Sequence, residues 1–217
     1  MKRLIILLIS SLFSVTAIAQ DVTGYWRGIL KFSPQFNIVL GLEVSTTPEG
    51  KRLVISSPNQ GMTGLEPTTF SIDNNKLTFK DNKLNASFTG TFTGETLSGV
   101  FTQGGDVPVI FKRLTPEDVA RLANERQWFG DLQISKFSSL PLVLNIAVIA
   151  EGYHVTLDSP KQESYAIPIS TFNLSADKLS FKSAVLNASY EATWQQDAWQ
   201  GTFVQGMAMP LTLKKKH

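Results

Sequence analysis

Gly99-Val100-Phe101-Thr102-Gln103-Gly104 and Gly201-Thr202-Phe203-Val204-Gln205-Gly206 are two copies of one pattern. Working outward from them, residues 50–112 align with residues 152–214 without a gap and at a constant offset. Ser57-Pro58-x-Gln60 falls on Ser159-Pro160-x-Gln162, and Lys76-Leu77-x-Phe79-Lys80 on Lys178-Leu179-x-Phe181-Lys182. Leu84-Asn85-Ala86-Ser87 falls on Leu186-Asn187-Ala188-Ser189. The two stretches are roughly a third identical, which marks an internal duplication. Upstream, Trp26-x-Gly28-x-Leu30 matches Trp128-x-Gly130-x-Leu132. One short indel near residues 33–35 then places Ile38, Leu40, Leu42 and Val44 opposite Leu142, Leu144, Ile146 and Val148.

Each repeat alternates apolar and polar residues in short runs broken by Gly, Pro, Asn and Asp, the pattern of half-buried strands joined by hairpins. In the second repeat Val155, Leu157, Phe172, Leu174, Leu179 and Phe181 fall on the inward face. Ala188, Tyr190, Trp199, Phe203, Leu211 and Leu213 continue it. The expected fold is all-β: two tandem antiparallel meanders of about eight strands each, closed as barrels or folded as barrel-like sandwiches. The joint between them is the only stretch expected to be helical. Thr115-Pro116-Glu117-Asp118 combines a hydroxyl N-cap, a first-turn proline and acids at the positive end of the helix dipole. The chain therefore divides into a β-repeat over 20–114, a helical linker over 115–126 and a second β-repeat over 127–217.

Residues 1–19 read as a signal peptide: basic Lys2 and Arg3, an apolar run over 4–15, and Ala17-Ile18-Ala19 before Gln20. The expected location is the periplasm or the cell exterior. The apolar run is shorter than the roughly 20 residues of a comfortable membrane span, so no transmembrane segment is expected in the mature chain. An outer-membrane barrel would need an apolar outward band, whereas Glu43, Thr78, Lys80 and Glu191 occupy the outward faces. There is no cysteine, hence no disulfide framework. The whole chain has 20 Lys+Arg against 18 Asp+Glu, and loss of Lys2 and Arg3 leaves the mature protein formally neutral. No basic stripe suited to nucleic acid is present, the terminal Lys214-Lys215-Lys216 being the one basic cluster.

Chemistry-bearing motifs are few. The chain has two histidines, His154 and His217, and no Gly-x-Ser-x-Gly elbow, so no catalytic triad is expected. His154 reads as an outward strand residue. No metal-ligand spacing, phosphate-cradling loop or dinucleotide fingerprint appears, and no cofactor is expected. What recurs is a polar set: Ser57, Gln60 and Gln103 in the first repeat, Ser159, Gln162 and Gln205 in the second. Two readings stand. The set braces turns at one end of each barrel, or it lines the barrel mouth and fixes the polar end of a ligand. Asp158, next to Ser159, adds an acidic group in the second repeat, which makes that repeat the better ligand-site candidate. Small residues Gly28, Ala86, Gly90 and Gly99, with Gly130, Ala188, Ala192 and Gly201, are read as allowing the strands to coil tightly.

The run Trp128-x-Gly130-x-Leu132, Asp158-Ser159-Pro160-x-Gln162, Ile167-Pro168, Gly201-Thr202-Phe203-x-Gln205-Gly206 and Pro210-Leu211-x-Leu213 resembles a bacterial module. This is the β-rich domain that precedes the catalytic domain of some secreted α/β-hydrolases and other serine hydrolases, notably of Bacteroidota and marine proteobacteria. The likeness covers nearly the whole mature chain twice and includes no catalytic domain, so it implies an accessory module and no hydrolase activity. The function expected from sequence is a non-catalytic exported binding or accessory protein, with a small, partly apolar ligand as first partner. A protein-interaction role with a separate secreted hydrolase is the alternative, and an enzyme of unrecognised type the third. Nothing in the sequence sets the oligomeric state.

Overall fold

The computed structural model describes residues 21–33 and 36–215; the expected signal peptide lies outside them. Period-two alternation is realised as strands throughout. The first repeat forms β1 (Gly24–Lys31), β2 (Asn37–Thr47), β3 (Gly50–Ser57), β4 (Met62–Leu65) and β5 (Thr69–Asp73). It continues through β6 (Lys76–Asp81), β7 (Ala86–Thr93), β8 (Thr96–Thr102) and β9 (Asp106–Arg113). After α1 (Pro116–Arg121) the second repeat gives β10 (Arg126–Ser135), β11 (Ser138–Ile149), β12 (Gly152–Ser159), β13 (Ser164–Pro168) and β14 (Thr171–Leu174). It ends with β15 (Lys178–Ser183), β16 (Ala188–Gln195), β17 (Ala198–Gln205) and β18 (Met207–Lys215). Each repeat is one curled, fully antiparallel sheet, in the order β4-β3-β2-β1-β9-β8-β7-β6-β5 and its equivalent.

Nine strands form where about eight were expected, and the pairing explains the difference. β1 pairs antiparallel with both β2 and β9, so with alternation around the ring β4 and β5 must run in the same direction. They are two halves of one strand position, separated by residues 66–68. In the second repeat the switch takes one peptide. Ile169 N–H donates to the Val155 carbonyl at 3.2 Å, and Ser170 N–H donates to the Lys182 carbonyl at 2.7 Å. The fourth strand thus leaves β12 and joins β15, closing a barrel with eight positions. An all-β fold of two tandem meander barrels is what the structure shows.

Two further expectations need correction. No indel separates the repeats, because Gly28 pairs with Leu40 and Gly130 with Leu142. Ile38, Leu40, Leu42 and Val44 therefore correspond to Leu140, Leu142, Leu144 and Ile146, two residues from the expected partners. A two-residue slip leaves every side chain on its original face, so alternation alone cannot detect it. The linker is also not the only helical stretch. Pro58–Gln60 and Pro160–Gln162 form single 3₁₀ turns, closed by left-handed Gly61 and Glu163. The linker helix is built as its sequence dictates: Thr115 Oγ1 accepts from Asp118 N–H, and the Asp118 carboxylate accepts from Thr115 N–H, both at 3.2 Å. It gives way to a 3₁₀ turn over Leu122–Asn124, and Arg126 already begins β10.

Each barrel has its own core, so the repeats do not share one. One end of each is plugged by aromatic rings. Trp26 packs on Phe92 at 5.0 Å in the first barrel, and Trp128, Trp194 and Trp199 form a triad with centroids 5.0–6.1 Å apart in the second. Such ring pairs add about 0.5–1.5 kcal/mol each beyond their area burial. Gly201 lets β16 and β17 approach closely: a Cβ there would overlap the Glu191 carbonyl oxygen. This agrees with tight coiling.

The barrels meet through polar groups. Asn59, buried at the tip of the first 3₁₀ turn, accepts from Val39 N–H at 3.0 Å and donates Nδ2–H to Thr156 Oγ1 at 3.3 Å. Asn145 donates Nδ2–H to Thr156 Oγ1 and to Asp158 Oδ2, and accepts from Gln127 Nε2 at 2.8 Å. Buried Arg27 pairs with Glu125 at 3.0 Å, and the other Glu125 oxygen accepts from Val148 N–H at 2.8 Å. Arg27, Asn59, Asn145 and Thr156 are buried and each has a complement here, as buried polar groups require, although Arg27 Nε has no partner among the described residues.

Candidate functional site

The end of each barrel opposite the aromatic plug is ringed by the β1–β2, β3–β4, β6–β7 and β8–β9 connections or their equivalents. There the structure brings each repeat's polar set together. Ser57 donates to Gln60 Oε1 at 2.9 Å, and Ser159 to Gln162 Oε1 at 2.8 Å. Gln103 Nε2–H donates to the Leu84 carbonyl at 2.9 Å, and Gln205 Nε2–H to the Leu186 carbonyl at 3.0 Å. Gln103, just after β8, and Gln205, at the end of β17, thus tie one hairpin to the neighbouring turn in both barrels. This is the bracing arrangement, made twice with the same geometry.

The same residues also border a cavity in each barrel. In the second it measures about 580 Å³, lined by Leu132, Leu142, Leu157, Ser159, Gln162 and Gln205 among others. In the first it measures about 180 Å³ and is bordered by Ser57, Gln60 and Gln103. Small-molecule sites run from about 300 to 1,000 Å³, so only the second cavity has the size of one. Side-chain replacements accompany the difference. Met62 projects into the first cavity, while its counterpart Ser164 turns away and donates Oγ–H to the Gln162 carbonyl at 3.2 Å. Met207, where the first repeat has Gly105, extends the apolar wall of the second mouth.

The chemistry of the second cavity is narrow. Its walls are aliphatic and aromatic, from Leu132, Ile134, Leu140, Leu142, Leu157, Ile167, Leu186, Phe203, Met207 and Met209. Ser159, Gln162 and Gln205 supply the side-chain polar groups, and no ionisable side chain lines it among the described residues. Ser159 is 2% exposed and already bonded to Gln162. Gln162 Nε2 and Gln205 Oε1 keep donor and acceptor capacity beyond these bonds. An ionised ligand group buried there would lack a countercharge, at large cost. An uncharged one would find an amide donor and an amide acceptor at the rim of an apolar chamber.

Asp158 does not belong to this site. Alternation along β12 puts it on the outer face whenever Ser159 faces inward. Its oxygens accept from Asn145 Nδ2 at 2.9 Å and from Ala166 N–H at 2.8 Å. It lies beside Thr156, Gln127, Asn59 and Gln60 at the meeting of the barrels. Asp158 therefore gives the second repeat no acidic group in its cavity; the two cavity linings differ instead at Met62 and Gly105, replaced by Ser164 and Met207, among other positions.

His154 faces outward on β12, as expected, but its Nε2 is buried without a partner among the described residues. Burial holds the imidazole below the usual histidine range, against a smaller opposing effect from the backbone of Asn37 in the first barrel. Among the described residues no group of three or more His, Asp or Glu side chains is placed to hold a metal ion. No described helix is long and apolar enough to cross a membrane. Sequence reasoning missed the wall residues Ile134, Met207 and Met209, whose signal was their apolar character at hairpin ends where turns are ordinarily polar.

No family model and no curated protein sequence matches the chain. Among solved structures, a DUF3598-family protein of unknown function from Nostoc punctiforme PCC 73102 is similar at 12% identity and a TM-score of 0.28. That match covers 88% of this chain and 94% of the other. A likeness this weak carries neither fold nor function to the present chain.

Proposed function

We propose that the protein is a non-catalytic binding protein whose second barrel takes up a small, uncharged, largely apolar molecule. The observation that supports this is the contrast within one chain. Two barrels carry the same polar set, yet the cavity it borders measures about 180 Å³ in one and about 580 Å³, open at the mouth, in the other. Bracing alone gives no reason for the larger apolar chamber. In this reading the first barrel is the structural partner, and the second holds the ligand with its polar atom toward Gln162 and Gln205. Export to the periplasm or cell exterior belongs to the same proposal and is supported by the signal-like residues 1–19. The alternative, an accessory partner of a separate secreted hydrolase, is supported by the sequence resemblance.

The test is a titration with N-phenyl-1-naphthylamine, an uncharged apolar fluorophore. Saturable uptake with a blue shift, lost when the chamber is narrowed by Leu157→Trp in a variant that still melts cooperatively, is the expected result. Absence of saturable uptake, or uptake unchanged by Leu157→Trp, would overturn the reading.

A further inference from the structure

The loops around the second mouth carry apolar side chains that no described residue covers. Phe137, at the tip of the β10–β11 hairpin, is 98% exposed; Val185, in the β15–β16 turn, is 70% exposed; and Met207, the first residue of β18 after its turn, is 61% exposed. Ile134 is also half out of the protein while its side chain lines the cavity. These residues stand on three separate connections around one opening.

The first barrel serves as an internal comparison. Where the second repeat has Phe137, Val185 and Met207, the first has Gln35, Lys83 and Gly105. Where the second has Lys136 and Lys161, the first has Pro34 and Asn59. At these three positions the rim is apolar only around the larger chamber, while lysines occur on both rims, Lys83 on the first and Lys136 and Lys161 on the second. The first barrel's own exposed aromatics, Phe32 and Phe36, pack on each other with centroids 5.8 Å apart. Phe36 also borders the groove shared with Tyr165 of the second barrel.

We infer that the mouth of the second barrel docks on a lipid surface, so that its apolar ligand passes between bilayer and chamber without crossing water. Resting on the binding reading above, this adds the source of the ligand. Side chains on separate tips around a hole suit insertion between lipid headgroups better than a flat protein partner, whose contact core packs as densely as a protein interior. Lys136 beside Phe137, and Lys161 on the 3₁₀ turn, are placed to meet anionic headgroups, with Asp131 the acid nearest Lys136 in sequence and Glu163 the acid nearest Lys161. The ring also continues into the cavity through Ile134 and Met207, which belong to both surfaces.

The experiment is co-flotation of the full mature chain with vesicles of phosphatidylcholine containing phosphatidylglycerol, beside N-phenyl-1-naphthylamine uptake in solution. The double variant Phe137→Ser/Val185→Ser changes exposed residues that do not line the chamber. It should lose vesicle association by roughly tenfold or more, as burial of such side chains predicts, with uptake unchanged. Lys136→Glu should weaken flotation on vesicles rich in phosphatidylglycerol and leave it unchanged on phosphatidylcholine alone. Failure of the wild-type chain to float, or flotation equal in the double variant, overturns the docking inference whatever the uptake shows. Flotation that depends on Phe137 and Val185 while uptake is absent would keep the docking surface and remove the ligand reading.

Discussion

Gly41 lies directly beneath the guanidinium of Arg27: a Cβ at Gly41 would overlap Arg27 Nη1 and Ser56 Oγ. The glycine is the gap through which Arg27, on the outer face of the first barrel, reaches Glu125 in the linker. Glu125 in turn holds Val148 N–H of the second barrel. Gly41→Ala should therefore act on the joint between barrels. Overpacking of this kind costs about 1–3 kcal/mol. Glu125→Ala, which strands the buried guanidinium, should cost about 3–5 kcal/mol. Urea denaturation followed by tryptophan fluorescence would check both. A Gly41→Ala protein with wild-type stability would show that Arg27 has room the geometry denies it.

His154 makes the same joint sensitive to pH. Its folded-state pKa lies below the ordinary 6.5 because burial disfavours the charged ring. The unfolded chain then binds the proton more readily than the folded one, so stability falls as pH drops below about 6.5 and levels off beneath the depressed folded value. His154→Gln should flatten this part of the stability curve, measured by thermal melts from neutral to mildly acidic pH. An identical slope in wild type and variant would mean that the imidazole is freely protonated in the folded state.

The barrel architecture was legible because it needs only parity and repetition. Leu179, Phe181, Tyr190 and Phe203 alternate inward in sequence and stand in one core in the structure. What parity cannot see was misplaced. The two-residue slip between Leu40 and Leu142 preserves every face, and only hairpin pairing reveals it. The split fourth strand escaped because residues 66–68, and then Ile169 and Ser170, change partners within an otherwise extended segment. Asp158 was misassigned although alternation itself opposes Ser159 and Asp158. The polar joint was invisible because its members, Asn59 and Asn145, find their partners far along the chain. The polar set was legible because duplication keeps it, but its chamber was not, since volume depends on what Met62 and Ser164 do in three dimensions.

Bracing and ligand contact by the glutamines can be separated by comparing the repeats. Gln103 and Gln205 each make one hydrogen bond to a turn carbonyl from an exposed position. Gln103→Ala and Gln205→Ala should each lower stability by about 0.5–1.5 kcal/mol. Only Gln205→Ala should also weaken uptake of an uncharged amphiphile such as a long-chain alcohol, measured by displacement of the fluorophore. Equal effects on displacement would assign both glutamines to bracing alone.

The last prediction exchanges two residues at which the cavity linings differ. Ser164→Met places in the second barrel the side chain that Met62 contributes to the first cavity. Its cost is the Ser164 hydroxyl bond to the Gln162 carbonyl, at a partly exposed position, so about 0.5–1.5 kcal/mol of stability should be lost. A thioether is flexible enough to fill an irregular space, so the chamber should shrink toward that of the first barrel and fluorophore uptake should fall. Met62→Ser should do the opposite, because Met62 packs on the first core without being fully buried. Removing it enlarges a chamber that already has Ser57, Gln60 and Gln103 at its edge. A chain carrying Met62→Ser should therefore show a second, weaker phase of uptake, and the double exchange should move uptake from the second barrel to the first. If Ser164→Met takes up the fluorophore as wild type does, this position does not govern access, and the contrast between the barrels must come from Met207 and the rim instead.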